Sequence, residues 1–474
     1  MLFFRCIASK YVITSVDAIY KRNFRFADSY LAIMHAQVKY TIYSPMTFEF
    51  ETLPDEIILQ VCSYLCSSDV LYSFFDLNTR INTTIEGYYR YVNLLGSSYK
   101  AFHYVVSYVL PRIGSSVRSF VLNGNWKSVL PETISTILYG TQFVEMVPNL
   151  ERLILKWFTC EQLSMFLDNL RGLSQLYVID LVFLKGQSTN DLLAKILRAN
   201  GDQIKIITFD SDCIYLDVPE KNEFSIYPNI EELIINIYAG LDEILYKFLP
   251  MIPNVRVLHI NDGPLSIFTN FAETCQNIAP LVHLVDFQLT SAQRFYWTLD
   301  KILDILILMP SLKKLAIFVK TTDYRLVKGN SFQASLPSSI TELHLSIRYY
   351  DHENDNTYFD MDEIMASWVD YYPIICLPYK SNDEVLLFTI PSHVRTLKIP
   401  GYLDFTQANA SCSNFQHIEH ISIAELPSLA QLYNIIQHFR YLKALVINTS
   451  TNPETCIFDS IIYQLRANYF ISIF

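Results

Sequence analysis

Glycine is scarce in this chain, with 12 among 474 residues. Loops that cradle phosphate need glycine where the backbone must approach the ligand closely or turn left-handed. No P-loop and no GxGxxG stretch occurs, and the GxSxG and HExxH patterns are also missing. The sequence holds no enzyme constellation and calls for no cofactor. Basic residues are in deficit as well, 36 Lys and Arg against 47 Asp and Glu, for a net charge of −11. That balance argues against a dominant electrostatic grip on nucleic acid or on an anionic membrane surface. CxxC pairs are lacking, although nine cysteines are present. An odd count without paired spacing points to reduced thiols and an intracellular setting, cytoplasm or nucleus. Cys62 and Cys66 stand four apart, but no second Cys/His pair lies near them to complete a zinc site, so they read as core. Long apolar runs are missing too. The segment Leu299 to Leu315 is broken by Asp300, Lys301, Asp304, Lys313 and Lys314, short of the ~20 clean residues a membrane span needs.

What is present is apolar. Hydrophobic residues make up 51% and charged residues 18%, with 32 Tyr and 31 Phe, a composition that excludes disorder over most of the length. The length suits several domains of ~150 residues or one long repeat array. Residues 1–45 begin apolar, Met1-Leu-Phe-Phe-Arg5, but no uninterrupted hydrophobic stretch follows, and Asp17 and Asp28 oppose a transit peptide. They read as an N-terminal extension, either loosely ordered or lying upstream of a true start at Met46.

Over 46–95 the pattern sharpens into three short helices. Pro54 suits a first helical turn, and Asp55 and Glu56 suit the positive helix end. Ile57, Ile58, Val61, Tyr64 and Leu65 then follow helical spacing. Ser67-Ser68-Asp69 supplies a turn and cap for a second helix carrying Val70, Leu71, Phe74 and Phe75. A third runs through Leu77 to Ile85.

This stretch resembles an F-box. The likeness rests on Leu53-Pro54-Asp55-Glu56-Ile57-Ile58, then Tyr64-Leu65, Ser68-Asp69-Val70-Leu71, and Asn78-Thr79-Arg80-Ile81-Asn82 with Ile85. The order and spacing of the family hold, and only the tryptophan that many members carry in the third helix is missing. The resemblance implies binding to the adaptor Skp1 and, through it and indirectly, to a cullin ubiquitin ligase. Its partner-facing residues would be Leu53, Pro54, Ile57, Ile58, Val61, Leu65, Val70 and Leu71. Read from the residues alone, the same positions serve equally as the core of a small helical domain.

Past residue 110 a unit recurs: apolar, two variable, apolar, one variable, apolar. It appears at Val117/Phe120/Leu122, Leu150/Leu153/Leu155, Leu173/Leu176/Val178, Ile204/Ile207/Phe209, Ile230/Leu233/Ile235, Val255/Leu258/Ile260, Leu284/Phe287/Leu289, Leu312/Leu315/Ile317 and Ile340/Leu343/Leu345. Val394/Leu397/Ile399, Ile418/Ile421/Ile423 and Leu442/Leu445/Ile447 continue it. Middle positions are 23 to 33 residues apart, apart from one gap of 54 between Leu343 and Leu397. Proline often precedes the unit. The period and spacing resemble leucine-rich repeats, without the regular asparagine or cysteine that closes the strand motif in that family. The fold class expected is α/β: a short three-helix F-box, then over 96–474 an irregular leucine-rich-repeat solenoid, a horseshoe of short parallel strands and helices. The 54-residue gap is read as an acidic insertion near 349–384. An ordinary α/β domain with many parallel strands is the alternative.

In such strands the variable residues face a concave surface of mixed polarity, which suits a protein partner. His259, Lys314, Phe318 and His344 are the candidate substrate contacts, and the substrate is unknown. Asp351-His-Glu-Asn-Asp355 lacks the glycine and distal glutamate of a calcium loop, and His417 with His420 has no companion ligands; no metal is expected. The combined expectation is a non-catalytic substrate adaptor of a Skp1–cullin–F-box ubiquitin ligase. The alternatives are a Skp1-binding protein without a ligase role, and a repeat scaffold capped by its N-terminal helices.

Overall fold

The computed structural model describes residues 53–473 with interruptions, the longest at 264–278, 351–360, 400–419, 424–443 and 448–469. The N-terminal extension, the Asp351–Asp355 stretch and His417 lie outside the described residues. The chain is mixed α/β with an open, mostly parallel sheet. It divides into two compact units: one ends at Asn123 and takes in Lys127–Leu150, and the other comprises Gly124–Trp126 and everything from Glu151.

In the first unit, α1 (Asp55–Ser63), α2 (Ser67–Phe74) and α3 (Thr79–Thr84) follow one another closely. Pro54 precedes α1, and its carbonyl accepts the N–H groups of both Ile57 and Ile58 at 3.1 Å. Cys66, rather than Ser67, Ser68 or Asp69, caps α2. Ile58, Cys62, Val70, Phe74, Ile81 and Ile85 form a closed core, with Leu53, Val61 and Leu65 packed partly against it. The unit continues through β1 (Tyr91–Asn93), α4 (Tyr99–Tyr104), a π-helical turn over Val105–Val109, α5 (Leu110–Ile113), β2 (Ser119–Asn123), α6 (Glu132–Tyr139) and α7 (Gln142–Met146). β1 and β2 pair in parallel, Val92 opposite Phe120. The helices assigned to 46–95 are thus part of a unit running on to Leu150 and containing a strand, β1, that lies before the first apolar triplet.

The second unit is built from β3 (Arg152–Lys156), α8 (Cys160–Asp168), β4 (Val178–Val182), α9 (Leu192–Leu197), β5 (Ile206–Phe209), β6 (Leu216–Asp217), β7 (Glu232–Tyr238), β8 (Val257–Asp262) and β9 (Asp286–Ser291). α10 (Leu299–Ile307), β10 (Lys314–Thr321), α11 (Gly329–Ser335) and β11 (Glu342–Tyr350) follow. The sheet order is the chain order, β3-β4-β5-β7-β8-β9-β10-β11, all parallel, with β6 paired to the far end of β7. Ile207, Leu233, Leu258, Phe287, Leu315 and Leu343, the middle residues of the triplets, stand opposite one another across successive strands.

The repetition extends to the hydrogen bonds. The carbonyls of Glu151, Tyr177, Lys205, Glu231, Arg256, Val285 and Lys313 each accept two successive N–H groups from the start of the next strand. Those acceptors are 25 to 29 residues apart. A tight turn ends on the first triplet residue, as in Tyr227-Pro-Asn-Ile230 and Met309-Pro-Ser-Leu312, where that residue's N–H reaches the carbonyl three positions back. Proline presets the φ that the second turn position needs.

Two sequence expectations need correction. The triplet Leu173/Leu176/Val178 is out of frame: β4 sets Ile179 and Leu181 opposite Leu153 and Leu155, so the unit is Leu176/Ile179/Leu181. The segment read as an acidic insertion is not an interruption without regular structure. It contains α12 (Met361–Ala366) and β12 (Ile374–Tyr379), and β13 (Ser381–Thr389) starts at its end. β13 pairs antiparallel with β11, and β12 pairs antiparallel with β13, so the parallel run ends in a hairpin. Val385, Leu386, Leu387 and Phe388 are all buried, a continuous apolar run rather than an alternating one, as expected of a strand covered on both faces. A separate parallel sheet follows, β14 (Thr396–Ile399), β15 (His420–Ile423), β16 (Ala444–Ile447) and β17 (Phe470–Ile473), with Leu397, Ile421, Leu445 and Ile471 in register.

Candidate functional site

Helical geometry sorts the eight residues expected to face a partner. Ile58, Val70 and Leu71 are wholly buried, so their apolar surface is spent inside the module and no partner meets it in this fold. Leu53, Val61 and Leu65 are half-buried against the same core. Pro54 and Ile57 are exposed, and Tyr64, outside the expected set, is 74% exposed, the highest value for a large apolar side chain among the described residues. On α1, successive residues advance by 100°, so Pro54, Ile57, Val61 and Tyr64 fall on one stripe beside the buried line of Ile58 and Cys62. The alternation of exposed Ile57 with buried Ile58 is set by the helix phase, which the Ile-Ile pair alone does not reveal.

The Asn78–Asn82 stretch, in which only Ile81 is buried, orders the start of this stripe. Asn78 caps α3 by accepting the Ile81 N–H at 2.8 Å. The Arg80 guanidinium donates to the Leu53 carbonyl and, at 2.6 Å, to Asp55, so α3 holds the start of α1. The Asn82 side chain accepts the Asp76 N–H at 2.8 Å, and its carbonyl accepts the Tyr89 hydroxyl. Asp76 takes a left-handed φ of 65° and accepts from Arg112 at 2.8 Å and Tyr108 at 2.9 Å. Those two bonds, Arg112's first, hold its carboxyl below the ordinary aspartate range.

In the second unit the four expected substrate contacts occupy one face of neighbouring strands. His259 lies on β8, Lys314 and Phe318 on β10, and His344 on β11. They are not independent. His259 pairs with Asp286 at 3.3 Å, while Lys314 at 3.3 Å and His344 at 2.6 Å share Glu342. Asn236, on β7, is fully buried, and its amide donates to the carbonyls of Asp210 and Cys213 in the connection between β5 and β6. Asparagines link successive units from strands, where Asn261 donates to the Asn236 side chain at 2.7 Å, and from turns, where Asn254 donates to the Pro228 carbonyl at 2.9 Å and Asn200 to the Leu173 carbonyl at 2.6 Å. The side chains of Lys398 and His420 lie outside the described residues.

Sequence reasoning also missed an aromatic pair at the carboxyl ends of β3 and β4. Trp157 and Phe183 sit two residues beyond the paired Leu155 and Leu181 and adopt φ of 55° and 54°. Their rings stack with centroids 6.0 Å apart and planes 21° from parallel. Left-handed backbone costs a side-chain-bearing residue about 1–2 kcal/mol, and only Asn and Asp reach it with ease.

Among the described residues, no group of three or more His, Cys, Asp and Glu side chains is placed to hold a metal ion, and no helix is long and apolar enough to cross a membrane. No protein-family model matches the chain, and no curated protein is significantly similar to it.

Proposed function

We propose that this chain is a substrate-recognition adaptor, in which the F-box-like helices dock on a Skp1-type adaptor and the strand array holds a protein substrate. Ubiquitin transfer belongs to other subunits, reached indirectly through a cullin, and the chain's contribution is proximity: a tethered substrate meets the transfer machinery at high effective concentration. The observation that carries the reading is the apolar surface that Pro54, Ile57 and Tyr64 expose along α1 and its two ends, with half-buried Val61 between them, on a module whose own core is complete. A helix that shows such a stripe suits a partner's apolar groove. The 25-to-29-residue recurrence of turn and doubled carbonyl supports an irregular leucine-rich-repeat array as the substrate-bearing part.

The test is co-precipitation of the full chain with purified Skp1 and a cullin. Capture of both supports the ligase role. Capture of Skp1 without cullin reduces the function to a Skp1 partner, and capture of neither removes the adaptor reading.

A further inference from the structure

We propose that the carboxyl ends of β3 and β4 bind an acidic peptide segment through an aromatic side chain. The inference deepens the substrate half of the adaptor reading and rests on it for the peptide's identity as substrate. Four described residues other than glycine adopt a left-handed φ: Asp76, Trp157, Phe183 and Asn200. Asp and Asn accept that conformation through their short polar side chains, whereas bulky aromatics are outliers in it. A turn that only had to reverse the chain would be served by Gly or Asn. Here two neighbouring strands carry the same outlier at the same register, and the two side chains stack on each other. Gly124 allows the close approach on which this corner depends, since a Cβ there would lie 2.8 Å from the Trp157 carbonyl oxygen.

Both rings are only partly buried, so ring surface remains available to a third ring. Lys156 precedes Trp157, and Lys185 follows Phe183 by two residues; the first is half-buried and the second exposed. Neither has a carboxylate partner among the described residues, while the nearby Asp180 is engaged by Arg152 at 2.6 Å. Aromatic surface with an unpaired lysine next to Trp157 in the chain and another two residues after Phe183 complements an aromatic residue set among carboxylates. Single-stranded nucleic acid also stacks on such rings, but it needs a basic groove along its backbone, and two lysines do not line one.

Fluorescence polarisation of the full chain tests the proposal with labelled Glu-Asp-Glu-Tyr-Glu-Asp-Glu, an alanine-centred counterpart, a lysine-flanked counterpart and an oligothymidine. The tyrosine-centred acidic peptide is expected to bind best. Trp157→Gly, Phe183→Asn and Lys156→Glu with Lys185→Glu should each weaken it about tenfold. Because glycine adopts a φ of 55° freely, Trp157→Gly should keep or raise Tm while binding is lost. Equal binding of the alanine-centred peptide, preference for oligothymidine, unchanged affinity in the variants, or a clear fall in Tm with Trp157→Gly would each overturn it. Skp1 capture by the same variants separates the two readings: peptide binding without Skp1 capture removes only the adaptor half.

Discussion

Ile57 and Ile58 are chemically identical neighbours with opposite surroundings, and the difference is measurable. Ile58 has no solvent exposure, whereas Ile57 keeps 42%. Ile58→Ala should therefore cost about 2–5 kcal/mol, and Ile57→Ala about 0.5 kcal/mol or less, in urea denaturation of the full chain. Burial also governs the thiols. It pushes Cys62 and Cys160 to about 11 and Cys376 to about 12 from an unfolded value of 9.0. Between the unfolded and folded values the folded chain holds more protons, so these groups lose stability for the fold as pH rises through 9 towards 11. They should stay unreactive to a thiol reagent at neutral pH until denaturant is added. Asp76 runs the other way. Arg112 and then Tyr108 hold its carboxyl down, so its contribution is complete above the ordinary aspartate range and is lost as pH falls through the depressed folded value. Arg112→Ala should shift the acid limb of the stability profile upward in pH.

The strands were legible where the apolar triplet admitted a single frame. Ile207, Leu233, Leu258, Phe287, Leu315 and Leu343 were placed from spacing alone, because the residues between them are polar enough to fix the phase. At β4 the run Leu173, Leu176, Val178, Ile179 and Leu181 satisfies the pattern twice, three residues apart, and only pairing with Leu153 and Leu155 selects the second frame. The hairpin β12–β13 was obscured by the acidic residues around it, although Val385–Phe388 already reads as a doubly covered strand. The burial of Asn236 is not legible from spacing, because the connection between β5 and β6 brings two carbonyls to it. Asn236→Leu should leave those carbonyls without their donor and cost about 1–3 kcal/mol, read as a lower urea midpoint with unchanged slope. The three helices were legible from capping and periodicity, but which face of α1 stays open depends on α2 and α3 packing against it.

On the scale of the whole molecule, the long parallel run and the helical module belong to different compact units, and the proposed function assigns each a separate task. Such a division predicts that charge placed on the α1 stripe abolishes docking and leaves the array intact, whereas Ile58→Asp would damage the module itself. The open strand face sets His259 against Asp286 and both Lys314 and His344 against Glu342. The central claim is Skp1 docking through α1. Its most direct test is calorimetric titration of Skp1 into the full chain and into an Ile57→Asp, Tyr64→Asp variant of matching circular dichroism. Saturable binding by the natural chain, lost in the variant, is the predicted result. No heat with the natural chain, or equal affinity in both, would contradict it.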